Sequence, residues 1–135
     1  DYHASFAFDV AKNPFEPSSY NPDTGEGSLA VEFVCPALTS LALPEDNSGP
    51  EANPHQKFNN QVDHGYMLLD ITEQAFGCEW YYTDTLKERN DSTRFAKGLV
   101  TQTSTNHLVD SSQARAIMDS PALASKDKAV AVKTV

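Results

Sequence analysis

The sequence predicts a fold of mostly antiparallel β-strands joined by long loops. Its clearest element is the stretch 64–84, HGYMLLDITEQAFGCEWYYTD, in which apolar residues occupy alternate positions on both sides of the polar triplet 72–74. Alternation with a period of two is typical of half-buried strands, and two such arms joined by a few residues predict an antiparallel hairpin. Because both arms have an apolar face, the hairpin requires a larger core to pack against.

A second alternating segment opens the chain. Residues 1–10, DYHASFAFDV, place Tyr2, Phe6 and Phe8 on one parity and polar residues such as Asp9 on the other. They predict a strand with one apolar and one polar face. An aromatic strand at the very start of a chain is unusual, because termini are commonly polar and poorly ordered. We therefore expect that a preceding part has been removed or lies on another chain.

The composition of the other segments predicts their secondary structure. Residues 12–28 are rich in Pro, Gly, Asn and Ser and predict a series of turns. Residues 28–38, SLAVEFVCPAL, predict a largely buried strand that ends at Pro36 and neighbours the hairpin. Residues 43–62 contain three prolines and predict a surface excursion with at most one short helical turn. Residues 97–108 have the threonine-rich alternation of an exposed strand.

The chain divides into a domain over residues 1–109 and a C-terminal tail over residues 110–135. A serine at the start of the tail can cap a short helix, and the last eight residues, KAVAVKTV, can add an edge strand. The sequence contains no internal repeat.

Charge and hydropathy narrow the range of partners. Lys and Arg number 10 against 19 Asp and Glu, which gives a formal net charge of −9. This charge disfavours binding to nucleic acid or to an anionic membrane surface. No apolar run is long enough to span a membrane, and no signal peptide is expected in this chain. An acidic metal-binding or exported protein fits the composition better.

The densest candidate for chemistry is the triplet Asp1-Tyr2-His3. Side chains at positions i and i+2 of a strand point to the same side, so Asp1 and His3 can present a carboxylate oxygen and an imidazole nitrogen to one or two cations. Such a triplet is weak evidence alone, and a solvated strand end is then the better interpretation. Its significance depends on the segments that accompany it.

Those segments resemble the C-terminal part of the PhoD-like alkaline phosphatases, a family of secreted metallophosphoesterases. They are DYHASFAFDV, PFEPSSYNPDTGEGSLAVEFVCPALTS, NPHQKF and HGYMLLDITEQAFGCEWYYTDTL, and they cover most of residues 1 to about 110 in the same order. The resemblance implies an α/β fold, the C-terminal portion of a metallophosphoesterase-type α/β/β/α sandwich. This chain would supply mostly antiparallel strands and long loops to it.

The resemblance also implies a role for the first residues. In that family a G-D-x-H motif contributes metal ligands, so Asp1 and His3 are expected to bind part of a calcium and iron cluster. The family's other ligands come from upstream segments, and nothing in these 135 residues matches them. This chain alone is therefore not expected to be active. Its expected partner is the upstream part of the same polypeptide or a companion chain.

The implied function is that of a fragment of a periplasmic or extracellular phosphatase or phosphodiesterase, a hydrolase of phosphate esters. The alternative is a non-catalytic structural or assembly module derived from the same fold. Bound metal at Asp1 and His3 distinguishes the two. An independent small domain fits less well, because the predicted strands have unmatched apolar faces.

Two cysteines stand where the family pattern has other small residues. Cys35 and Cys78 lie on strands that are expected to be close together. A paired departure of this kind predicts a disulfide, which is the natural state in an exported protein. Two independent buried thiols are the alternative.

The remaining histidines and aromatic residues are better explained by structure. His55 is expected to make a structural hydrogen bond in a Pro-rich loop and is a weaker candidate for a third metal ligand. His64 and His107 are predicted to be surface residues. Trp80 and Tyr82 could stack on an organic group, but their alternation places them in the core first.

Overall fold

The computed structural model describes residues 2–45, 52–88 and 91–111. In these ranges it contains seven strands and no helix. The strands are β1 (Ser5–Ala11), β2 (Ser28–Val34), β3 (Gln56–Asn60), β4 (Gly65–Ile71), β5 (Ala75–Thr83), β6 (Thr93–Gln102) and β7 (Val109–Asp110). They form two antiparallel sheets with the orders β2-β1-β3 and β4-β5-β6-β7. The predicted antiparallel strands and long loops are thus confirmed.

Two predictions concern residues that are not described. The short helix and the edge strand of the tail fall within residues 112–135, outside the described ranges, so the division at residue 109 stays a prediction. Within the described ranges, no helix has the length and apolar character needed to cross a membrane.

The hairpin predicted around residues 64–84 is confirmed. β4 and β5 pair in antiparallel register, with Met67 opposite Trp80 and Leu69 opposite Cys78. The turn is closed at Thr72, whose backbone N–H donates to the Ala75 carbonyl at 2.9 Å and whose hydroxyl accepts from the Ala75 N–H at 3.0 Å. Local alternation and a polar turn were enough to specify this element.

The larger core that the hairpin requires is the other sheet. Trp80 on β5 is fully buried, and its ring centroid lies 5.8 Å from that of Phe33 on β2 and 5.0 Å from that of Phe58 on β3. Its indole N–H donates to the Val34 carbonyl oxygen at 3.1 Å. The two sheets therefore pack face to face around Trp80, and the polar N–H of its buried indole has a hydrogen-bond partner.

β1 is confirmed as a strand, but the face that packs against the hairpin is the one with the small and polar residues, and not the one with the aromatic residues. The parity that carries Ser5, Ala7 and Asp9 is fully buried and faces the hairpin, whereas Tyr2 is 60% exposed on the other parity. Small side chains at 5 and 7 leave room for the bulky rings of the facing layer, a common way of filling a sandwich core. The apolar parity of β1 lies on the face away from the hairpin, where Phe6 is nevertheless buried.

The segment 28–38 forms a strand that ends before Pro36, as predicted, but it is not largely buried. β2 is an edge strand that pairs with β1, and Leu29 is 67% exposed. Its contact with the hairpin is made by packing across the sandwich, through Phe33 and Phe76 at 5.0 Å between ring centroids, and not by strand pairing.

Two other expectations need correction. Residues 43–62 contain β3, which pairs with β1; its side chains are mostly polar, so only Phe58 offered an apolar signal. β6 overlaps the predicted strand of residues 97–108 but starts earlier, at Thr93, and ends at Gln102. It is also not an exposed strand, because Leu99 and Thr101 are buried where it lies beside β5. Because β6 pairs with β5 on one side and β7 on the other, it is more buried than its threonine content suggests.

Candidate functional site

His3 lies two residues before β1 and beside an open cleft. Its backbone φ is 57°, in the left-handed region that a residue with a side chain seldom adopts, and the residue is partly buried. The cleft has a volume of about 520 Å³ and is walled by Tyr2, by residues 34–40 at the end of β2 and beyond it, and by Tyr66 of β4. Strained backbone next to a cleft is common at functional sites.

Of the predicted ligand pair, the structure places only His3. Asp1 lies outside the described residues. Among residues 2–45, 52–88 and 91–111, no three His, Cys, Asp or Glu side chains cluster as a metal site would require. A cation at His3 would therefore need ligands from Asp1 and from polypeptide beyond the described ranges, and the assignment of this pair stays a prediction.

A buried polar cluster on the inner face of β1 was not found by sequence reasoning. Asp9 is 0% exposed, and its Oδ2 accepts a hydrogen bond from the Tyr20 hydroxyl at 2.9 Å and lies 2.6 Å from His107 Nδ1. Its Oδ1 accepts from the backbone N–H of Leu108 at 2.9 Å. The Lys57 ammonium lies 3.5 Å from Oδ2. We call Asp9, Tyr20, Lys57, His107 and Leu108 the Asp9 cluster.

The Asp9 cluster joins four distant segments of the chain. Lys57 also donates to the Pro22 carbonyl at 2.6 Å, which ties the turn region to β3. Burial, and then the hydrogen bond to Asp9, raise the pKa of Tyr20, so this phenol remains a protonated donor at neutral pH. A buried carboxylate with this many partners has its charge compensated. Because Asp9 has no exposed atom, we interpret the cluster as structural: it holds the four segments together.

A glycine in the turn region makes room for the cluster. Gly25 has a φ of 72°, and a Cβ added there would lie 2.4 Å from the Cβ of His107. Both the left-handed backbone and the close approach favour glycine at this position. The prediction that His107 is a surface residue is wrong, because its imidazole is 14% exposed and contacts the buried carboxylate.

The other two histidines also have structural surroundings. The ring of His55 lies between Phe8 and Phe15, at centroid distances of 5.4 and 5.7 Å, and its carbonyl accepts the Asp9 N–H at 2.9 Å. The hydrogen bond expected of His55 is thus made by its backbone. His64 Nε2 lies 2.6 Å from the Ser40 carbonyl oxygen.

The expected disulfide between Cys35 and Cys78 is not formed in the structure, where both are free thiols. Cys78 is buried in the sandwich core with its Sγ 3.8 Å from Met67 Sδ, whereas Cys35 is exposed beyond the end of β2. Burial raises the pKa of Cys78 to about 12, with smaller contributions from Cys35 and Glu79. The Cys78 thiol is therefore protonated and unreactive at neutral pH.

The described part of the chain has the fold class of a two-layer β-sandwich. Its two antiparallel sheets, of three and four strands, pack against each other through one aromatic core. No family model and no curated protein matches the chain. Part of a solved structure titled "Structure of PhoD" has a similar fold, with a TM-score of 0.65 at 21% sequence identity. The match covers 85% of this chain and 22% of that chain. The fold is therefore that of one part of PhoD, and the chain spans about a fifth of that structure's length.

Proposed function

We propose that this chain is one part of a metal-dependent phosphatase or phosphodiesterase of the PhoD-like type, and that it contributes Asp1 and His3 to the metal site. The observation that carries the proposal is the likeness to PhoD over 85% of the chain. The position of His3 on an open cleft at the start of β1 supports it. The remainder of an α/β/β/α sandwich would come from preceding polypeptide.

The residue types at this end of β1 fit the proposed ions. A carboxylate oxygen suits calcium, and an imidazole nitrogen together with a carboxylate suits iron. Bound cations of this kind neutralise phosphoryl oxygens, activate an oxygen nucleophile and stabilise the leaving oxygen. Asp1 and His3 would hold the ions in place. Calcium and iron as the ions, phosphate esters as the substrates and a periplasmic or extracellular location all follow from the same resemblance.

Removing His3 tests this proposal directly. In the full polypeptide that contains this chain, His3→Ala is expected to lower the bound metal and to reduce phosphate ester hydrolysis by at least about 100-fold. Removing a residue that only hydrogen-bonds to a metal ligand already reduces metal affinity or activity by up to about 100-fold, so removing a ligand itself should reduce it by at least as much. The measurements are metal content by inductively coupled plasma mass spectrometry and the rate of p-nitrophenyl phosphate hydrolysis.

His64→Gln is the matched control, since glutamine retains a donor for the Ser40 carbonyl. The control should keep both its metal and its rate. Metal content in His3→Ala equal to that of the unmodified protein would show that His3 is not a ligand.

A further inference from the structure

The cleft beside His3 has walls from both sheets of the sandwich. Residues 34–40, at the end of β2 and beyond it, form one part of the wall, and the start of β4 at Gly65 forms another. The backbone N–H of Gly65 donates to the Ala37 carbonyl at 3.0 Å, which joins these two parts. The volume of about 520 Å³ lies within the range of small-molecule sites, roughly 300–1,000 Å³. The cleft can therefore hold a small organic group.

The described wall of the cleft carries no carboxylate, ammonium or guanidinium group. None of its described residues is Asp, Glu, Lys or Arg, although the chain as a whole has a net charge of −9. Leu38 is 64% exposed on this wall, and Thr39 and Ser40 beside it add only uncharged hydroxyl groups. Such a wall gains free energy by covering apolar surface but offers no charge to compensate a phosphoryl group. It suits an uncharged part of a ligand.

Two tyrosine rings of the wall are held in place by other rings. Tyr66 is stacked on Tyr81, with centroids 5.5 Å apart and an interplanar angle of 11°, and the Tyr81 hydroxyl donates to Glu79 Oε2 at 2.7 Å. Tyr2 packs edge-on against Phe6, with centroids 5.4 Å apart. A ring whose position is already fixed contacts a ligand at little further cost in conformational entropy. The two tyrosines thus provide a preformed contact surface for a ring.

We propose that this cleft binds the alcohol part of the phosphate ester, and that it favours esters of uncharged aromatic alcohols. The inference rests on the proposed function, because a metal site at His3 would hold the phosphoryl group beside the cleft. Leu38 and Tyr66 then contact the alcohol and determine the preference for a ring. This adds to the proposed function the class of alcohol and the residues that select it.

Paired kinetic measurements with two esters test the cleft. In the full polypeptide, Leu38→Ala is assayed with naphthyl phosphate, whose alcohol is aromatic, and with methyl phosphate, whose alcohol has no ring. KM for the naphthyl ester is expected to rise about 3- to 10-fold and KM for methyl phosphate to change less than about 2-fold, because an apolar wall discriminates by the apolar contact that is lost. For both esters kcat should stay the same, since this contact is made equally in the ground state and the transition state.

Leu41→Ala is the matched control. Leu41 follows β2 in the same segment, is 89% exposed and lies outside the described wall of the cleft, so both KM values should be unchanged. Tyr66→Ala should repeat the effect of Leu38→Ala, and Tyr66→Phe, which keeps the ring on Tyr81, should restore the original KM. Circular dichroism and metal content check that each variant is folded. Because Leu38 is exposed, its variant provides the test even if Tyr66→Ala does not fold.

The outcomes separate this inference from the proposed function. Equal changes in KM for the two esters, or no change in either, would overturn the assignment of the cleft, while normal hydrolysis by the unmodified protein would leave the proposed function standing. Absence of both metal and ester hydrolysis in the unmodified protein would overturn the proposed function, and this inference with it.

Discussion

Replacing Asp9 with alanine is expected to lower the free energy of unfolding by about 3–5 kcal/mol, the usual cost of removing one partner from a buried charge pair. The substitution leaves the ammonium of Lys57 and the imidazole of His107 beside a cavity in the sandwich, without the carboxylate that each now contacts. Chemical denaturation followed by circular dichroism, on the full polypeptide or its complex, measures the change.

Two further variants serve as controls for this experiment. Asp9→Asn keeps one acceptor oxygen and should lose less stability than Asp9→Ala. Asp84→Ala removes an exposed aspartate just after β5 and should change the free energy by no more than about 0.5 kcal/mol. If Asp9→Ala were as stable as Asp84→Ala, the Asp9 cluster would not hold the segments together as described.

The second large effect is expected at Trp80. Trp80→Ala should cost about 3–5 kcal/mol, the range measured when large aromatic side chains are removed from a core. The indole is fully buried between Phe33 and Phe58 and also bonds the Val34 carbonyl. It therefore contacts both outer strands of the facing sheet at once.

Trp80→Phe separates packing from the hydrogen bond. Phenylalanine keeps a ring between the two sheets but leaves the Val34 carbonyl without its donor, so the variant should lie between the unmodified protein and Trp80→Ala in thermal and chemical denaturation. Equal stability of Trp80→Ala and the unmodified protein would contradict face-to-face packing of the sheets around this residue.

Local patterns predicted the elements whose determinants are close in sequence. The hairpin has its alternation, its turn and its partner strand within about twenty residues, so β4 and β5 follow directly from period two. β3 was not predicted because its identity as a strand depends on pairing with β1, about fifty residues earlier. Its polar composition gave no local signal, and Phe58 alone packs into the core.

The use of the two faces of β1 could not be predicted from the strand itself. Counting apolar residues favours the parity of Phe6 and Phe8 as the buried one, yet the core face is that of Ala7 and Asp9. The choice depends on the rings of the facing sheet, which need small residues opposite them, and on a partner for Asp9. That partner, His107, is 98 residues away, so no sequence pattern indicates it.

The candidate metal site is predictable from sequence only through resemblance. Asp1 and His3 form a two-residue motif that acquires meaning from the segments that follow it, and the described part of the chain supplies no complete ligand set of its own. The PhoD-like fold is the element that resemblance predicted and structural comparison supports.

The central claim is that this chain works as one part of a metal-dependent phosphatase, and intact mass with metal analysis tests it most directly. Native and denaturing mass spectrometry and metal analysis are performed on the same isolated material. We expect the chain within a larger polypeptide or complex that contains calcium and iron. A lone chain of 14.8 kDa without bound metal would contradict the claim and leave the non-catalytic module as the better account.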